Sequence, residues 1–79
     1  MNVKVLYFAQ LADLAHKTEE TLELEDPSAE ALYNKLKSDY SFPHTFTQLQ
    51  VAINHQLSAH KTPLEDGDQI AFLPPMTGG

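Results

Sequence analysis

The sequence closes on PPMTGG, and two of its three glycines, Gly78 and Gly79, are its last two residues. At an average glycine usage of ~7%, such a terminal pair arises in roughly one chain in two hundred. Either the end is a frayed tail that no function shaped, or the terminus is the working part. Other residues that do chemistry are dispersed. His16, His44, His55 and His60 contain no pair at the i, i+4 spacing of a helical zinc motif, so solvent-facing histidines and no metal are expected. No Ser/His/Asp order, glycine-rich phosphate loop or carboxylate pair on a shared face is present. The acidic run ETLELED reads as a solvated strand face. The chain alone is expected to catalyse nothing.

Composition limits what remains. The 79 residues make one small domain with one core, spanning residues 1–79. The chain is 42% hydrophobic and 20% charged, which suits a folded globule. Its net charge is −6 with only five Lys plus Arg, so it repels phosphate backbones and nucleic acid is not an expected partner. The same charge favours a basic partner groove. The absence of cysteine points to a reducing, cytoplasmic home. The start, MNVKVLYFAQ, is too short and mixed for a signal sequence. No apolar run reaches the ~18 residues of a membrane span, so no membrane is expected.

The elements follow from periodicity. VKVLYFA predicts a strand from Asn2 to Phe8, with Val3, Val5 and Tyr7 on one face and Lys4, Leu6 and Phe8 on the other. QLADLAH predicts a short helix or turn. ETLELED alternates as a half-buried strand with Leu22 and Leu24 inward. In DPSAEALYNKLKSDY the residues Ala29, Leu32, Tyr33, Leu36 and Tyr40 share one helical face. Asp26 is the expected N-cap and Pro27 the first helical residue. Pro43 ends the helix before SFPH. QVAIN and QLSAH predict a third and a fourth strand across a turn at Asn54 and His55. QIAFLPP is the last strand, with Ile70 and Phe72 opposite Ala71 and Leu73, and Pro74 and Pro75, which lack amide donors, end it.

The order β, β, α, β, β predicts an α+β domain, a mixed sheet with one main helix on one face. That helix packs on Val3, Val5, Tyr7, Leu22, Leu24, Val51, Ile53, Ile70 and Phe72. Leu6, Phe8, Leu57, Ala71 and Leu73 are left near the opposite face. An apolar patch on so small a domain marks a partner site, unless a loop covers it.

The run VLYFAQLADL, the segment VAINHQL and the close PLEDGDQIAFLPPMTGG resemble the small, sulfur carrier subunit of molybdopterin synthase, the MoaD family. The resemblance covers both ends and the third quarter of the chain, and its most specific part is the ending. It implies a β-grasp, ubiquitin-like fold. It implies that the Gly79 carboxylate is adenylated by a ubiquitin-activating-like enzyme using ATP. Sulfur from a donor protein then replaces AMP, giving a thiocarboxylate. No cofactor is permanently bound; AMP and sulfur are transient at Gly79. The large synthase subunit takes the tail into its active site, in a heterotetramer, and sulfur passes to a cyclic pterin precursor of the molybdenum cofactor.

On that reading the tail residues Pro74, Pro75, Met76, Thr77 and Gly78 insert into the partner. Glycines at the end keep the tail narrow, and the prolines favour an extended backbone that loses less entropy on docking. The resemblance places Phe8, Leu57 and Leu73 at the partner interface. One departure is Ala12, where many relatives carry a basic residue, so any ion pair made there is missing. Three other readings share the diglycine: the sulfur carrier of thiamine-thiazole synthesis, which usually lacks FLPP; a ubiquitin-like modifier joined through Gly79 to lysines; and an interaction module in which the diglycine is incidental.

Overall fold

β-Branched and aromatic residues hold Asn2–Tyr7 extended as strand β1, with Val3, Val5 and Tyr7 buried and the alternate positions facing the other way. The computed structural model describes residues 1–75. After β1 come α1 (Ala9–Ala15), β2 (Glu19–Glu23), α2 (Ala29–Tyr40), a 3-10 turn (Phe46–Gln48), β3 (Gln50–Ile53), β4 (Gln56–Ser58) and β5 (Gln69–Leu73). The strands form one sheet in the order β2-β1-β5-β3-β4. β1 and β5 are parallel and the other neighbours antiparallel. The chain therefore makes one antiparallel pair, crosses over through α2, makes a second pair, and slots its last strand between them.

Several boundaries differ from the expectation: β2 covers Glu19–Glu23 and leaves Leu24 beyond it, β3 and β4 stop at Ile53 and Ser58, and two further shifts have a visible cause. β1 ends at Tyr7, not Phe8, because Ala9 turns left-handed at φ 51 and the Phe8 carbonyl accepts from the Leu11 amide at 3.1 Å. α2 starts at Ala29, two residues late. Its N-cap is Ser28, whose hydroxyl accepts from the Ala31 amide at 3.1 Å. Asp26 instead accepts from the Ser28 amide at 2.9 Å, and the Pro27 carbonyl accepts from the Leu64 amide at 2.9 Å. Pro27 thus belongs to a loop-to-loop contact outside the helix. The far end behaves as expected: Ser41 is left-handed at φ 59 and Pro43 follows.

The core lies between α2 and the inner sheet face. Tyr33 and Phe72 are fully buried at its centre with ring centroids 5.1 Å apart, and Phe42 stacks on Tyr33 at 5.9 Å. The Tyr33 hydroxyl donates to the His44 carbonyl at 2.8 Å. Leu11, Phe42, Phe46, Leu49 and Leu64, from segments without clear periodicity, complete it.

The histidines need correction. His16 and His55 are exposed, but His44 and His60 are half-buried. His60 Nε2 lies 2.6 Å from the Leu49 carbonyl oxygen and its ring meets Phe46 edge-on at 4.9 Å. His44 Nδ1 is buried without a hydrogen-bond partner among the described residues. His44 precedes the 3-10 turn and His60 lies in the loop after β4, and both meet the edge of the aromatic core, a place that spacing alone does not reveal.

Candidate functional site

Strand register assembles the outer face. Leu6 pairs with Ala71, Ala71 with Ala52, and Ala52 with Leu57, so four apolar residues form a row across β1, β5, β3 and β4. Cross-strand partners project to the same side, so the row is continuous. Glu19 of β2 ends it beside Leu6 and lies 3.8 Å from Lys4. Phe8 and Leu73 stand one step further along their strand directions. Phe8 is 47% exposed and Leu57 68%, the exposed large hydrophobics among the described residues. No described loop covers them, which removes that alternative.

The middle of the row is a hollow of ≈ 200 Å³, lined by Leu6, Phe8, Ala52, His55, Gln69, Ala71 and Leu73. Two alanines make its floor because small side chains stand between large ones. Ala71 is only 6% exposed, so it belongs to the floor and not to the projecting patch. The rim is set by the β3–β4 hairpin, whose turn residues Asn54 and His55 have φ 52 and 69. Asn54 is tied on both sides. Its side-chain Nδ2 donates to Asp68 Oδ1 at 2.9 Å, and its side-chain oxygen accepts from the Gln69 backbone amide at 3.0 Å.

The sequence-predicted residues divide in three. Phe8, Leu57 and Leu73 share the outer face, although only Phe8 and Leu73 line the hollow and Leu57 lies at the far end of the row. Leu73 pairs with Gln50 as the last strand residue, and Pro74 and Pro75 lead off the sheet beside it. Met76, Thr77, Gly78 and Gly79 lie outside the described residues.

One cluster escaped the sequence reading. Glu20 Oε2 accepts from the hydroxyls of Tyr7 and Tyr40, at 2.5 and 2.6 Å. Lys17 Nζ lies 3.7 Å from the other carboxylate oxygen and donates to the Tyr40 hydroxyl at 3.0 Å. Burial pushes the Glu20 carboxyl up, but the two hydroxyls and Lys17 outweigh it and hold the group below its usual range. Burial, then Glu20, raise the Tyr7 phenol far above its ordinary value. Burial alone pushes Tyr33 up to about 12. The signal was parity: Glu20 shares its strand face with Leu22 and so points inward, unlike Glu19, Thr21 and Glu23.

Among the described residues no group of three or more His, Cys, Asp or Glu is placed to hold a metal, and no helix is long and apolar enough to cross a membrane. What the arrangement offers is a partly exposed apolar face that runs to the point where the chain leaves the sheet.

Comparison with known proteins gives three kinds of match. The model of the ThiS family matches residues 5–79. The molybdopterin synthase sulfur carrier subunit of Escherichia coli is 36% identical over 80 residues, covering 98% of this chain and 99% of that one. A solved complex of subunits 1 and 2 of molybdopterin-converting factor from Helicobacter pylori contains a chain 28% identical, with a TM-score of 0.68 and full coverage of both chains. SAMP1 from Haloferax volcanii superposes with a TM-score of 0.79 at 20% identity, over 100% of both chains, which carries the ubiquitin-like β-grasp fold.

Proposed function

The chain belongs to the ThiS family, and from that premise we propose that it is the sulfur carrier subunit of a molybdopterin synthase. The observation that carries the reading is continuity. Leu73 is at once a wall of the hollow and the last residue of β5, so a partner seated on the outer face meets the chain where it departs toward Gly79. The family name alone also fits a thiazole carrier. The full-length match to a molybdopterin synthase subunit and the Helicobacter complex favour the molybdopterin role.

In this role the protein supplies a handle and a docking face, and its partners supply the catalysis. The Gly79 carboxylate, ionised at neutral pH, resists nucleophiles. An adenylating enzyme lets it attack the α-phosphate of ATP, so that pyrophosphate leaves and the carboxyl is joined to AMP, a good leaving group. Sulfur from a donor protein displaces AMP and leaves a thiocarboxylate. The large subunit then draws Pro74–Gly79 into its site, the thiocarboxylate sulfur bonds to the pterin precursor, and water cleaves the acyl–sulfur bond to return the Gly79 carboxylate. Met76 and Thr77 bring uncharged side chains to the partner's channel, and glycine at the last two positions adds no side chain there. Two carriers on a dimer of large subunits are the expected assembly.

Intact-mass measurement of the chain from cells that hold its activating enzyme tests this. Exchange of one oxygen for sulfur at the C-terminus, with pterin conversion by the reconstituted large subunit, supports the carrier. A ladder of lysine conjugates with no thiocarboxylate would replace it with a modifier.

A further inference from the structure

We propose that Ala9 is a positioning residue whose left-handed backbone fixes Phe8 on the outer face, as the wall of the hollow that receives the partner. The inference deepens the docking reading above and rests on it. Ala9 has φ 51, a conformation that a residue with a Cβ adopts only at a cost. The other positive-φ residues described have ordinary duties. His16 and Ser41 close helices, Asn54 and His55 form a hairpin turn, and Gly67 turns a loop at φ 86. Ala9 stands instead at the first position of α1, where right-handed backbone is the rule. The helix gains no side-chain cap there. Glycine, which enters this region freely, is used at Gly67 and not here.

The turn separates two neighbours that must face opposite ways. Phe8 is extended, at φ −131 and ψ 152, and so continues the alternation of β1 on the side of Leu6. One residue later the chain swings over, and Leu11 and Ala15 reach the core. The Phe8 carbonyl accepts from the Leu11 and Ala12 amides at 3.1 and 3.4 Å, so the helix is bonded to the peptide that aims the ring. Phe8 itself has no core to hold it, being 47% exposed. The left-handed well of alanine is narrow, about 20° wide in φ. Once the packing of Leu11 and Ala15 has driven Ala9 into that well, the Phe8 peptide has little room to swing. Glycine would relieve the strain and widen the well.

The test uses Ala9→Gly and Ala9→Asn in the full chain, asparagine being the side-chain-bearing residue most tolerant of this backbone. The Ala9→Gly protein is expected to melt no lower than the parent. Its Overhauser contacts from the Phe8 ring to Leu6 and Leu73 weaken, and calorimetric affinity for the large subunit falls about two- to tenfold, the ordering cost of one side chain. Ala9→Asn restores both. Unchanged contacts and unchanged affinity in Ala9→Gly overturn the proposal. So does a lowered melting point with losses that asparagine does not rescue, since that describes a merely structural residue. Failure of the parent chain to bind overturns the docking reading instead, while the Overhauser contacts, measured without a partner, still decide whether Ala9 holds the ring.

Discussion

A single carboxylate separates the two kinds of polar residue in this protein. Most acidic side chains are solvated, but Glu20 faces inward and takes hydrogen bonds from Tyr7 and Tyr40, which join β1, β2 and the last turn of α2. Replacing Glu20 with Ala leaves two phenols without their acceptor and is expected to cost about 1–3 kcal/mol in chemical denaturation. The pH dependence has a definite sign. Glu20 is held below its usual range when folded, so its contribution is complete above the unfolded value of ~4.3 and fades as pH falls through the lower folded value. Glu20→Gln should flatten the acid limb of the stability curve. Tyr33 acts oppositely. Its folded value of about 12 means that its contribution is complete below ~10 and is lost as pH rises toward 12. On the outer face, Phe8→Asp and Leu57→Asp should each change stability by no more than about 0.5 kcal/mol, because both side chains are exposed. Both should weaken binding of the large subunit by several kcal/mol, on the order of an unpaired carboxylate buried in an apolar contact. Unfolding of either variant in a melting scan would place its residue in the core.

At the scale of elements, capping and termination set what each segment can do. Ser28→Ala removes the hydroxyl that serves the Ala31 amide and should lower stability by about 1 kcal/mol, whereas Asp26→Ala loses only the turn that feeds the helix and should cost less. A denaturant series on the two variants separates them. The prolines after β5 act on the tail. Pro74→Gly with Pro75→Gly leaves Ile70 and Phe72 buried where they are, so the thermal midpoint should hold. The freed backbone should lower affinity for the large subunit by on the order of 1 kcal/mol, roughly fivefold. Equal affinities with equal midpoints would leave the prolines only their strand-ending role. Ala9 belongs to the same scale, because one left-handed residue decides where β1 stops and which way its last ring points.

On the proposed function the molecule as a whole divides its labour between a sheet for recognition and an end for reaction. Deleting Gly79, or adding a residue after it, should leave the melting transition unchanged and abolish sulfur transfer; normal turnover by an extended, unprocessed chain would sink that division. The sequence by itself determined the order of elements, the inward faces of its strands, the face of α2 and the family. Each of these is written in local periodicity, turn residues or a contiguous motif, which neighbours along the chain express without help. It also set Phe8, Leu57 and Leu73 on the outer face, by parity. Tertiary structure alone decided that β5 slots between β1 and β3, and only that insertion brings Leu6, Ala71, Ala52 and Leu57 into one row with a hollow at its centre. It also turned Glu20 from a solvated acid into the acceptor of two tyrosines, and His60 from a surface residue into the cover of Phe46. The tyrosines stand 13 and 20 positions from Glu20, and His60 is similarly remote in sequence from the Phe46 ring it covers. Periodicity reports which way a side chain points from its own element, and nothing in it reports what another element will bring to meet it.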